Sequence, residues 1–174
     1  SEVDDVVRRV KKLVKEDRDL VRDSVRKLDE LVRDDKRLVD EVVERLERIV
    51  KEIEDLMREG VDERTLREVL KKAEEVVRES KERHDTTLER VKDVVRRSRE
   101  EHKRTLDEAK KEIDRVPRSE KLEEVLKMLE KVSDEVKKEN DRALKKVEDV
   151  SREVKELNKE VLKRARDVVE RVRT

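Results

Sequence analysis

The chain has 174 residues, of which 57% are charged and 32% apolar, with no Phe, Tyr, Trp or Cys. Its 50 basic and 50 acidic residues balance, so it lacks the cationic excess and the stacking rings with which proteins hold nucleic acid, and the charge that draws a protein to anionic membranes. The absence of cysteine excludes disulfides, thiolate metal sites and cysteine nucleophiles.

No apolar run approaches the ~20 residues of a membrane span, and no segment reads as a signal peptide. The expectation is a soluble, unexported chain, cytoplasmic when expressed recombinantly. High charge with low hydrophobicity can also mark disorder, but disordered segments are usually rich in Pro and Gly and lack apolar periodicity. Here there is one Pro and one Gly, and the periodicity is strong.

The first element is a helix from Glu2 to Glu59. Its apolar residues fall at Val3, Val6, Val7, Val10, Leu13, Val14, Leu20, Val21, Val25, Leu28, Leu31 and Val32, nearly three positions per two turns, as one buried face requires. Gly60 in "LMREGVDERTL" ends it as the residue past the C-cap, and Asp62 is placed to cap the next helix. That second helix runs from Glu63 to Val116, where Pro117 in "IDRVPRSEKL" stops it. Ser119 can then cap a third helix over Glu120 to Arg173. Each helix is ~80 Å long at ~1.5 Å per residue, and two short connections dictate up-down-up order. The fold class is therefore all-α, a long, nearly straight three-helix bundle forming a single domain over residues 1–174.

The stretch "ESKERHDTTLERVKDVVRRSREEHKRTLDEAKKE" sets both histidines in the same frame: Ser80, His84, Thr87, then Ser98, His102, Thr105. They are 18 residues apart, five turns of an undistorted helix, so the two sets share one face. The spacing recurs elsewhere. In helix one Asp17 returns as Asp35, with Leu20, Val21, Val25 and Leu28 matched by Leu38, Val39, Val43 and Leu46. In helix three Ser133 and Asn140 return as Ser151 and Asn158.

A further step of 18 meets apolar residues: Asp35 leads to Ile53, His84 back to Leu66, Asn140 back to Leu122 and Ser151 on to Val169. The polar residues thus stand at core positions. Folding the chain at its two turns gathers them into two levels: Asp17, Ser24, Ser98, His102, Thr105, Ser133 and Asn140; then Asp35, Ser80, His84, Thr87, Ser151 and Asn158. An isolated buried polar group costs about 1–3 kcal/mol, so grouping donors with acceptors is the economical arrangement. Two buried hydrogen-bond networks are expected.

Asp, His and a hydroxyl at one level invite comparison with a hydrolytic triad: Asp17 and His102 with Thr105 or Ser133, and Asp35 and His84 with Thr87 or Ser151. A triad also needs an exposed nucleophile, an oxyanion hole and a cleft, and connections this short offer no loop to build them. The two histidines lie ~27 Å apart along one helix and cannot share an ion. No catalytic residue, metal site, cofactor or small-molecule substrate is therefore expected. Protonating a histidine removes its acceptor nitrogen, which implies modest destabilisation below about pH 5, softened by Asp17 or Asp35. Met57 and Met128 read as core filler, and Asn140 and Asn158 as residues that fix register.

The idealised helices joined by "EGVDER" and "VPRSEK", the Val- and Leu-dominated apolar face, the absence of aromatics and the repeated Ser/His/Thr and Ser/Asn sets resemble de novo designed helical bundles with buried hydrogen-bond networks. The resemblance covers the whole chain. It implies a structural scaffold whose networks specify helix pairing, with no partner required. It equally admits a binding module, three helices of a four-helix heterodimer or switch that accepts an amphipathic helix or associates with itself. A buried-histidine, pH-responsive bundle is a more distant implication.

Overall fold

The computed structural model describes residues 1–173, with side chains through Arg171. It is a three-helix bundle: α1 spans Glu2–Glu59, α2 Glu63–Ile113 and α3 Glu120–Arg173. Valine, the most frequent core residue, is only a middling helix former because its branched side chain restricts χ1. Tertiary burial of the apolar stripe therefore carries these helices, with good formers (Glu, Lys, Arg, Leu) filling the positions between.

Each helix start is capped. The Ser1 hydroxyl accepts from the Asp4 amide at 3.3 Å, and Asp62 Oδ1 accepts from the amide of Thr65 at 3.0 Å and from its hydroxyl at 2.8 Å. At α3 the Ser119 hydroxyl accepts from the Leu122 amide at 3.5 Å. The end of α1 closes as a Schellman turn: the Val61 amide donates to the Leu56 carbonyl and the Gly60 amide to that of Met57, both at 3.2 Å. Gly60 takes φ = 78° there, a left-handed conformation that a side chain disfavours.

Helix α2 stops at Ile113, three residues short of the expected Val116. Pro117 pushes the residue before it out of the α region. The last turn accordingly tightens, with Arg115 donating to Glu112 and Val116 to Ile113, each at 3.3 Å and three residues back.

The contacts divide the chain into two compact units. The first combines Ser1–Leu31 of α1 with Arg90–Lys145 from α2 and α3. Its core joins Val6, Val10, Val14 and Val21 to Ala109 and Ile113 and to Leu122, Val125, Leu129, Val132 and Val136. The second combines Val32–Glu89 with the chain from Lys146 onward. There Leu38, Val42, Leu46 and Val50 pack with Ala73, Val76 and Val161, and Ile53 packs with Leu66, Val69, Ala165 and Val169.

Helix direction is legible inside each unit. In the first, Arg9 meets Glu112 at 3.2 Å and, further along α1, Asp17 faces His102, while Asp4 meets Lys121 of α3 at 2.8 Å; in the second, Glu41 meets Arg83 at 3.5 Å and Arg45 meets Glu79 at 3.8 Å. Numbers rising along α1 pair with numbers falling along α2, so these two are antiparallel. These ion pairs are mostly exposed and contribute ~0–1 kcal/mol each, whereas fully burying one Val or Leu contributes ~1.5–3 kcal/mol. Apolar packing dominates and the charges tune pairing.

Candidate functional site

Each unit holds one Asp–His–Ser set, built from one residue of each helix. In the first, Asp17 Oδ2 of α1 lies 2.5 Å from Nδ1 of His102 on α2, and the opposite ring nitrogen, Nε2, lies 2.8 Å from Oγ of Ser133 on α3. In the second, both carboxylate oxygens of Asp35 face Nδ1 of His84 at 2.9 and 2.8 Å, and Nε2 of His84 is hydrogen-bonded to Oγ of Ser151. Asp17 to Asp35, His84 to His102 and Ser133 to Ser151 are all separated by 18 residues, so one arrangement occurs twice.

The two copies differ in burial. The His84 and Asp35 side chains are 5% and 0% exposed, against 13% and 2% for His102 and Asp17. Burial raises the Asp35 carboxyl above the ordinary carboxylate range, while the hydrogen bond and charge of His84 pull it back. That direction opposes the aspartate part of the acid sensitivity expected from the sequence, because a carboxyl that binds its proton more readily in the fold is relieved by acid.

The serines, not the threonines, complete the sets. The Thr105 hydroxyl donates to the Glu101 carbonyl at 3.1 Å and that of Thr87 to the Arg83 carbonyl at 3.2 Å. Each threonine thus satisfies itself on its own helix, one turn back, and drops out of the expected network. Ser24 is half-buried and Ser98 buried, and neither hydroxyl joins a set. Ser80 donates to the Val77 carbonyl at 2.8 Å and accepts from Nδ2 of Asn158 at 3.3 Å, a two-residue link between α2 and α3. Asn158 Oδ1 and Asn140 Nδ2 are buried without partners, so Asn140 lies at its core position outside the first set.

Ser151 Oγ also lies 3.0 Å from the Val147 carbonyl of its own helix. Such back-bonding is common for helical serine, but nothing in the pattern separates Ser151 from Ser133, which has no such bond among the described residues.

The connectivity Asp–His–Ser is that of a hydrolytic triad, but it lacks the rest of one. Ser133 and Ser151 sit inside helices, where backbone N–H groups are spent on carbonyls four residues back and cannot bind an oxyanion. Surface depressions lie along Glu63, Arg64, Arg67, Glu68 and Lys71, and beside Arg9, Leu13, Glu112 and Arg115. Neither includes a residue of the sets. Among the described residues no three His, Cys, Asp or Glu side chains converge to hold a metal ion, and no helix is long and apolar enough to cross a membrane.

The sequence matches no known protein family and no curated protein. In structure it is similar to a computationally designed three-helix bundle, with 16% identity and a TM-score of 0.51 over 98% of this chain and 87% of that one. At that identity the likeness establishes the shared three-helix fold.

Proposed function

We propose that the chain is a designed structural scaffold, without enzymatic turnover, in which the two Asp–His–Ser sets specify how the three helices pair. The observation that carries this reading is the composition of each set, one residue from every helix, with the same connectivity in both. A helix that slid or rotated by one position would strand a buried carboxylate or imidazole, at a cost of several kcal/mol. Polar cores of this kind are well suited to excluding alternative registers rather than to adding stability. The designed three-helix bundle of the same fold supports the scaffold reading. The placement of Ser133 and Ser151 inside α3, where backbone N–H groups are already hydrogen-bonded, supports a non-catalytic role.

The scaffold reading requires no partner. Leu20, at 37%, is the exposed large apolar side chain among the described residues, while others such as Leu13, Leu31, Leu88 and Leu106 are half-buried, so the oligomeric state decides whether a further helix is seated. Light scattering on the size-exclusion peak of the isolated chain at neutral pH tests this. A single species at 20.9 kDa across a wide concentration range is expected. A dimer or an association series would overturn it in favour of a module that accepts a further helix.

A further inference from the structure

We infer that the two Asp–His–Ser sets, alike in sequence, hold different numbers of protons, the Asp35–His84 pair keeping one more than the Asp17–His102 pair at neutral pH. A serine hydroxyl has one proton to donate and can accept through its lone pairs. Ser133 Oγ is bonded to His102 Nε2 at 2.8 Å and to no backbone acceptor among the described residues. Its proton is free to point at Nε2, so His102 carries its own proton on Nδ1, facing the Asp17 carboxylate. That arrangement satisfies every contact with one proton on the ring and a net charge of −1.

Ser151 stands differently. Its oxygen contacts both His84 Nε2 and the Val147 carbonyl. A carbonyl can only accept, so the hydroxyl proton goes to Val147 and the contact with His84 is a bond only if Nε2–H donates to Oγ. A second proton then lies between Nδ1 and Asp35, either on the ring as an imidazolium–carboxylate pair or on the carboxyl of a neutral pair. Either form is neutral overall. Burial acts in the same sense, since a pair this enclosed bears a net charge at greater cost than the more open one, and the Asp35 carboxyl is raised by that burial.

The groups facing His84 are Asp35 from α1 and Ser151 from α3, with Ser80 and Asn158 linked nearby. The adjacent charges, Arg83 with Glu41 and Arg152 with Asp149, are exposed ion pairs and are screened. Around His102 the facing groups are Asp17 and Ser133, with Arg99 and Asp141 paired on the surface at 3.6 Å.

The test is 15N NMR of the histidine side chains in the full-length protein at pH 7.5, assigned with His84→Gln and His102→Gln. The expected spectrum has a protonated Nε2 in His84 and an unprotonated Nε2, with protonated Nδ1, in His102. Ser151→Ala, which keeps the helix and removes the acceptor from Nε2, should convert the His84 pattern to that of His102. Ser133→Ala should leave His84 unchanged. Two histidines with the same pattern, both with bare Nε2, would mean that Ser151 turns its proton to the ring and would overturn the inference, as would a His84 pattern indifferent to Ser151→Ala.

Discussion

Asp35 presents both carboxylate oxygens to a single nitrogen of His84, at 2.9 and 2.8 Å, with neither side chain appreciably open to water. Removing one partner of such a pair leaves a buried group without compensation, whereas replacing both with apolar side chains is often neutral or stabilising. Asp35→Ala should lower unfolding stability by about 3–5 kcal/mol. Asp35→Ile with His84→Leu places the residues found 18 positions away, at Ile53 and Leu66, and should recover that loss or exceed it. Guanidinium unfolding of the two variants against the parent makes the comparison, and equal losses in the single and double variants would contradict it.

The raised Asp35 carboxyl fixes the sign of a pH effect. Its folded pKa lies above the unfolded value, so the stability it contributes is fully present below the unfolded carboxylate pKa and is lost as pH rises through the folded one. At neutral pH the group is therefore a burden that acid relieves. Asp35→Asn abolishes this titration and leaves the other carboxylates in place. Relative to that variant, the parent should gain stability on going from pH 7 to pH 4.5. Unfolding midpoints at the two pH values give the comparison, and a constant gap between parent and variant would refute it.

Asn140 sits in the core with Nδ2 unpartnered, at the position equivalent to Leu122 one 18-residue step earlier. An unsatisfied buried donor costs about 1–3 kcal/mol. Asn140→Leu should raise stability by an amount of that order, read as a higher guanidinium midpoint with an unchanged m value. A lower midpoint would show that the amide is satisfied.

Gly60 is held at φ = 78° in the turn that closes α1, with no neighbouring atom near enough to obstruct a methyl group. The cost of a side chain is then conformational alone. Gly60→Ala should destabilise by about 1 kcal/mol, visible as a small drop in thermal midpoint with helix content retained. A neutral substitution would mean that the turn adopts another conformation.

Much of this architecture is legible in the sequence because it rests on regular physics. Gly60, Asp62, Pro117 and Ser119 mark the turns through backbone sterics and capping, and the apolar stripe marks the buried face. The 18-residue spacing also brings Asp17, His102 and Ser133 to one level and Asp35, His84 and Ser151 to the other. The choice among hydroxyls is not legible. Thr87 and Thr105 satisfy themselves on a carbonyl of their own helix, and that competition depends on side-chain rotamers that a pattern of residue types does not encode. The same holds for the second bond of Ser151 and for Asn140, whose position is right and whose partner is missing. Helix α2 ends three residues before Val116 because the steric reach of Pro117 extends back into the last turn.

The central claim is that each histidine ties α2 to both other helices, and proton NMR of the imidazole N–H groups near neutral pH tests it most directly. Two slowly exchanging, downfield protons are predicted, one in each Asp–His hydrogen bond. Nuclear Overhauser contacts should link the His102 ring to side chains beside Asp17 and Ser133, and the His84 ring to those beside Asp35 and Ser151. Histidines with freely exchanging ring protons and no contacts to α1 or α3 would contradict the account.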